Sequence, residues 1–149
     1  MIAIAIDDEP QALEVVRVLA GKIPFLTLQA TFTDALEALD YLQSNAVDLV
    51  FLDIKMPDIS GLDWVKGLTD PPMVIFTTAY SEYAADSYDL EAVDYLVKPI
   101  AFNRFLKAVN RAAKLRKQQT PTYMFVKSGF QYVRIDFDQL HYLQGASNY

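Results

Sequence analysis

Apolar residues along the chain recur with two alternating periods. Short apolar segments at 2–6, 26–30, 47–52, 73–77 and 93–97 have the length of strands. The segment at 47–52 reads as a central strand buried on both faces. Between them the spacing becomes helical. Leu13, Val16, Leu19, Ala20 and Ile23 predict a helix over roughly 10–22. Thr33 is placed to cap a second helix, with Leu36, Leu39 and Leu42 facing inward and Glu37 in its first turn. Ser60 opens a helix to about residue 68, and Pro71-Pro72 forbids any continuation. Further helices are expected at 82–91 and 101–117. The second of these carries Phe102, Phe105, Leu106, Val109 and Ala113 on one face.

Five strands that alternate strictly with five helices predict an α/β fold, a doubly wound parallel sheet of (βα)5 type. With right-handed crossovers, the flavodoxin-like strand order 2-1-3-4-5, which rests in part on the resemblance given below, would put the first and third strands side by side. The composition changes at Gln118-Gln119-Thr120-Pro121. Beyond it the helical period is lost. Strands are expected at 123–126 and 130–135, joined by a tight turn at Ser128-Gly129, with a third strand at 140–143. Three strands in 28 residues bury too little surface for a stable domain. The expected organisation is a first domain over 1–117, a linker over 118–121, and a β-rich segment over 122–149 that is part of a second domain cut short.

The chemistry-bearing residues gather at strand ends. Asp7, Asp8, Asp53, Thr78 and Lys98 each stand at or just past the end of an apolar run. In an open parallel sheet, ligands bind outside the carboxyl ends of the strands, so these groups are expected to converge. Three carboxylates, a hydroxyl and an ammonium suit a divalent metal and a phosphoryl group. Mg²⁺ prefers oxygen ligands, and an Asp can accept phosphoryl covalently. Lys98 and Thr78 would hold the remaining phosphoryl oxygens. Acidic residues at strand ends are also ordinary solvated loop residues, and Asp7-Asp8 alone does not separate the two readings.

Charge sharpens the picture. The formal net charge is −6, but residues 1–100 hold seventeen acidic and five basic groups. Residues 101–119 hold six basic groups and no acid, and residues 120–149 hold two of each sign. The acidic body argues against direct nucleic-acid binding by residues 1–100 and suits a cation site. Complementing its own C-terminal dipole is an equal reading of the basic helix. With no Cys, disulfides and thiolate metal sites are excluded. No apolar run reaches membrane-spanning length, and the N-terminus enters a strand without a basic leader. A cytoplasmic location without membrane contact is the expectation.

Asp7-Asp8-Glu9-Pro10, Leu52-Asp53-Ile54-Lys55-Met56-Pro57, Thr78-Ala79 and Lys98-Pro99 resemble the receiver domain of two-component response regulators. The resemblance covers residues 1–117. It implies that Asp53 is the phosphoacceptor, fed by a sensor histidine kinase. It also implies Mg²⁺ held by Asp8, Asp53 and the Lys55 backbone carbonyl, with Asp7 acting through water. Lys98 would pair with the phosphoryl group, Thr78 would move toward it, and Tyr95 would be the aromatic switch that follows. The Lys98-Pro99 bond is expected to be cis on the same ground. Such a domain assists its own phosphorylation and dephosphorylation but has no independent metabolic substrate, so it is not an enzyme in the ordinary sense.

The stretch from Thr78 to Pro99 is similar to receivers attached to LytTR-type DNA-binding domains. So is the tail with Phe125-Val126-Lys127-Ser128-Gly129, Val133-Arg134-Ile135, Leu140-His141-Tyr142-Leu143 and Asn148-Tyr149. The implied output is transcription regulation, with DNA bound only by the complete LytTR domain. A generic β-hairpin extension is the plainer reading of the tail. Charge suggests a homodimer through the helix at 82–91, the strand at 93–97 and the helix at 101–117. On phosphorylation, Glu82, Asp86, Asp89, Glu91 and Asp94 of one copy would face Arg104, Lys107, Arg111 and Lys114 of the other; the plainer reading makes both charge sets solvated faces of a monomer.

Two rival functions carry other expectations. A Mg²⁺-dependent phosphohydrolase working through a phospho-aspartate commonly has an acid two residues after its nucleophile, where this chain has Lys55. A phosphate-independent interaction module would not need the full acid set. His141, the one histidine, reads as a packing or surface residue, and Trp64, Tyr80, Tyr83 and Tyr88 as packing residues. Gly61 is assigned to a turn.

Overall fold

The computed structural model describes residues 1–80, 91–119 and 121–139. The chain divides into two compact units, Met1–Leu115 and Arg116–Tyr149. The first contains β1 (Ile2–Ile6), α1 (Pro10–Ala20), β2 (Thr27–Phe32), α2 (Ala35–Ser44), β3 (Leu49–Asp53), α3 (Gly61–Lys66), β4 (Met73–Thr78) and β5 (Asp94–Val97). It also holds most of α4 (Phe102–Gln119). All four strand pairs are parallel, in the order β2-β1-β3-β4-β5. The helix expected at 82–91 lies outside the described residues except for Glu91, which is not helical.

The two faces of the sheet separate by the two-residue period of a strand. Ala3, Ala5, Leu49, Phe51 and Ile75 pack under α1 and α4, against Leu13, Val16, Phe105, Ala108 and Val109. The small alanines of β1 leave room there for Phe51 and Phe105, whose rings stack with centroids 4.9 Å apart. Ile4, Ile6, Val50, Leu52, Val74 and Phe76 pack under α2 and α3, against Ala35, Ala38, Trp64 and Val65. The Trp64 indole N–H donates to the Ala35 carbonyl at 2.9 Å, which satisfies the one polar group that this buried ring carries. With helices on both faces, the central strands are dry on both sides, and all five residues of β3 are buried.

Several local expectations are corrected. Asp34, and not Thr33, caps α2: its carboxylate accepts the Leu36 N–H at 2.7 Å. The frame therefore starts one residue later, and the buried positions are Ala35 and Ala38. Leu36 is 62% exposed, because it lies about 100° around the helix from Ala35. Ser60 does cap α3, accepting the Asp63 N–H at 3.1 Å. The helix α4 runs to Gln119, two residues into the expected linker. Its buried stripe is Phe105, Ala108, Val109 and Ala112, without Ala113.

The second unit holds an antiparallel hairpin of β6 (Tyr123–Ser128) and β7 (Gln131–Asp136), followed by a 3₁₀ turn at Phe137–Gln139. Ser128 pairs with Gln131, so the two-residue loop is Gly129-Phe130 and not Ser128-Gly129. Gly129 has φ +63, and among the described residues no non-glycine residue has positive φ. A positive φ at the first loop position alone is the pattern of a type II′ turn, whose twist matches the flanking strands. The strand expected at 140–143, with His141, and Tyr83 and Tyr88 lie outside the described residues.

Candidate functional site

The site is assembled by strand register. Asp53 ends β3 and pairs with Thr77 of β4, and Leu52 pairs with Ile6 of β1. Asp7 follows Ile6 directly, so β1 and β3 deliver Asp7 and Asp53 to adjacent positions. Asp8 comes next in the turn before Pro10, the first residue of α1. One carboxylate oxygen from each of Asp7, Asp8 and Asp53 lies within 4.8 Å of the other two. Asp7 and Asp53 are each 4% exposed.

Lys98 closes the site from the far side of the sheet. It follows β5, and its backbone N–H donates to the Thr78 carbonyl at 2.7 Å. From there its ammonium donates to Asp7 Oδ2 at 2.7 Å and to Asp53 Oδ1 at 2.9 Å. The Lys98-Pro99 bond is cis, as the resemblance implied. Burial alone would lower the Lys98 pKa, but the hydrogen bonds to Asp7 and Asp53 outweigh it and raise the value. Burial pushes the Asp53 carboxyl upward. The Lys98 hydrogen bond pulls it back, and the charges of Asp7 and Asp8 push it up again.

That balance tests whether a metal fits. Three carboxylates facing one ammonium leave an excess of two negative charges in a mostly buried place. A divalent cation matches that excess, and hard carboxylate oxygens are the donors that Mg²⁺ takes. The donor set therefore fits Mg²⁺. Asp7 also accepts the Glu9 N–H at 3.0 Å, which fixes its second oxygen.

The remaining expected residues make other contacts. Thr78 is buried at the end of β4, and its hydroxyl accepts the Tyr80 N–H at 3.1 Å. Tyr95 pairs in register with Phe76, and the two rings stack 5.3 Å apart. Lys55 lies just after β3, with its ammonium 4.3 Å from the centre of the Tyr80 ring. An open groove beside Asp8 is lined by Thr33, Asp34, Leu36, Met56 and Pro57, which is where the outward-facing Leu36 sits.

Gly61 belongs to the site in a way that its assignment to a turn did not capture. Its N–H donates to the Ile54 carbonyl at 2.9 Å, closing the loop after β3. A Cβ at this position would stand 2.3 Å from the Asp53 carbonyl oxygen. The first turn of α3 thus rests on the backbone of Asp53. The sequence signal was available in principle: a glycine directly after a capping serine, eight residues beyond the key aspartate.

Comparison with known proteins shows the family. The family model described as "Response regulator receiver domain" matches residues 3–110. The chain is similar to transcriptional regulatory protein BtsR of Salmonella typhimurium, 38% identical over 117 residues, or 76% of this chain and 48% of the relative. It is 36% identical to sensory transduction protein LytR of Staphylococcus haemolyticus over 114 residues, 74% of this chain and 44% of that one. The chain thus spans about half the length of these curated relatives. Among solved structures, the response regulatory domain of protein mrkE from Klebsiella pneumoniae has TM-score 0.71 and 30% identity. It covers 80% of this chain and 100% of its own. A match over 3–110, supported by the same fold in a relative of 30% identity, means that this chain belongs to the response regulator receiver domain family.

Proposed function

We propose that the chain is the phosphorylation-switched half of a LytTR-type transcription regulator. Asp53 accepts a phosphoryl group from a phosphohistidine of a sensor kinase. The N–P bond of the donor breaks, an O–P bond to the Asp53 carboxylate forms, and the donor imidazole leaves. The observation that carries this reading is Asp53 itself, buried at the end of β3 with the Lys98 ammonium at 2.9 Å and two further carboxylates alongside. Asp8, Asp53 and the Lys55 carbonyl would hold Mg²⁺, with Asp7 acting through water. When bound, the ion supplies charge neutralisation for the incoming phosphoryl oxygens. Lys98 would bind one of those oxygens, and Thr78 would donate its hydroxyl to another. Tyr95 then repacks against the space that Thr78 vacates.

Output follows in the complete protein as altered dimerisation and DNA binding, in the cytoplasm. Support comes from the relatives' descriptions as a transcriptional regulatory and a sensory transduction protein, and from the hairpin of the second unit. The proposed dimer uses residues 82–91, β5 and α4. Arg104 and Arg111 already bind Asp94 within the chain, which leaves Lys107 and Lys114 as the cations for cross-pairing. A phosphohydrolase reading lacks its proton donor, since Lys55 stands two residues after Asp53.

The test is covalent labelling by a small acyl phosphate. The expected result is at most one label per chain, formed with Mg²⁺ and abolished by a chelator. Sustained multiple-turnover release of phosphate from unrelated monoesters, without retained label, would favour the hydrolase instead.

A further inference from the structure

The edge of the sheet next to Tyr95 is gripped by two arginines that the phosphorylation chemistry does not use. Arg104 and Arg111 are seven residues apart on α4, two turns along one flank of the helix. The Arg104 guanidinium meets both Asp94 oxygens, at 3.1 and 3.4 Å, and also donates to the Tyr95 carbonyl at 3.1 Å. Arg111 donates to the Val93 carbonyl at 3.2 Å and lies 3.6 Å from the second Asp94 oxygen. Asp94 Oδ1 in turn accepts the Tyr95 N–H at 2.8 Å. The Asp94 side chain is 12% exposed, while each arginine is about half exposed.

This arrangement singles out Tyr95. The strand β5 has four residues and lies at the edge of the sheet. Both main-chain polar groups of Tyr95 have partners within the clamp, the N–H through Asp94 and the carbonyl through Arg104. Besides its pairing with β4, the backbone from which the ring stacks on Phe76 is therefore held by Asp94 of β5, itself gripped by both arginines, and by Arg104 of α4. A planar guanidinium can hold two acceptors in one rigid fork, which an ammonium cannot.

We propose that Arg104 and Arg111 are positioning residues for Tyr95, fixing its backbone so that its ring, and not β5, responds when Thr78 moves. Charge-assisted hydrogen bonds are roughly twice as strong as neutral ones, so the clamp also ties that response to α4. The proposal rests on the reading of Tyr95 as the aromatic switch. It further means that Asp94 is unavailable for pairing with a second copy while the clamp is closed.

The experiment is ¹⁹F NMR of the full chain carrying 3-fluorotyrosine, with the Tyr95 line assigned by Tyr95→Phe. The chain is titrated with beryllofluoride in the presence of Mg²⁺. The wild-type line is expected to move on titration. Arg104→Met should displace or broaden that line before beryllofluoride is added. It should also shift the titration midpoint by about fivefold or more, the lower end of ordinary coupling between sites. Arg104→Lys should fall between the two, since it restores charge without the fork. If Arg104→Met does not fold, Arg111→Met provides the same comparison through the Val93 contact. A folded Arg104→Met or Arg111→Met protein with the wild-type Tyr95 line and midpoint would overturn the clamp. A wild-type Tyr95 line indifferent to beryllofluoride would overturn the switch reading on which it rests.

Discussion

Asp53 is the last residue of a strand whose every position is buried, and burial is what makes its carboxylate unusual. Its pKa in the fold is raised above the ordinary value, first by burial and then by the charges of Asp7 and Asp8. The sign of the consequence follows from linkage. A carboxyl with a raised folded pKa favours the folded state below its unfolded pKa, and that contribution is lost as pH rises through the folded value. Ionisation of Asp53 therefore works against the fold. Asp53→Asn is expected to raise the melting midpoint of metal-free protein at neutral pH, with the gain shrinking in acid. A midpoint lower than wild type under those conditions would show that the Lys98 contact outweighs burial. Mg²⁺ should act in the same sense on the wild type. At a hundred times its Kd a ligand stabilises by about 2.7 kcal/mol, or roughly 5–10 °C for a domain of this size. Asp8→Asn should lose most of that rise at the same Mg²⁺ concentration, because a hard cation loses an anionic donor. Calorimetry with and without the metal decides both.

The elements show why some features were legible in the sequence and others were not. The five strands follow from apolar segments and alternation, because a strand buried on both faces leaves a strong local pattern; their order rests in part on the resemblance to receiver domains. The ends of helices depend on single hydrogen bonds, which leave a weak one. Thr33 and Asp34 are adjacent and both are good caps, and only the geometry shows that Asp34 reaches the Leu36 N–H. That one-residue shift turns Leu36 outward. Asp34→Ala should cost about 1 kcal/mol, and Thr33→Ala much less; equal losses in urea unfolding would contradict the assignment. The site residues were legible as a set because strand ends converge, but the role of Gly61 was not, since a close approach of backbone to backbone has no periodic signature. Gly61→Ala must displace the Asp53 carbonyl or the start of α3. The expected loss is about 1–3 kcal/mol, in the range of overpacked sites. Labelling of Asp53 should fall with it. Wild-type stability and labelling in Gly61→Ala would show that the contact is soft.

At the scale of the whole molecule, the two compact units differ in what holds them together. The first has two core layers on either side of a five-stranded sheet. The second contains a two-stranded hairpin with Phe125, Phe130 and Tyr132 exposed, and such a hairpin is marginal by itself in water. A chain ending at Gln119 is therefore expected to melt within about 2 °C of the full chain, since the cooperative core lies in the first unit. A much larger loss would show that the second unit supports the first. No net positive charge lies in residues 120–149, so counterion release gives little affinity for DNA. Gel-shift assays at physiological salt should show no complex with this chain; tight, salt-sensitive binding would instead identify the basic stretch of α4 as a DNA contact.

The central claim is that the buried carboxylate at the end of β3 is the phosphoacceptor. The most direct measurement is mass-spectrometric mapping of the adduct formed with a small acyl phosphate and Mg²⁺. The account predicts a single label on Asp53, absent from the chelated protein and from Asp53→Asn. A label on any other residue, or one that persists undiminished in Asp53→Asn, would contradict it.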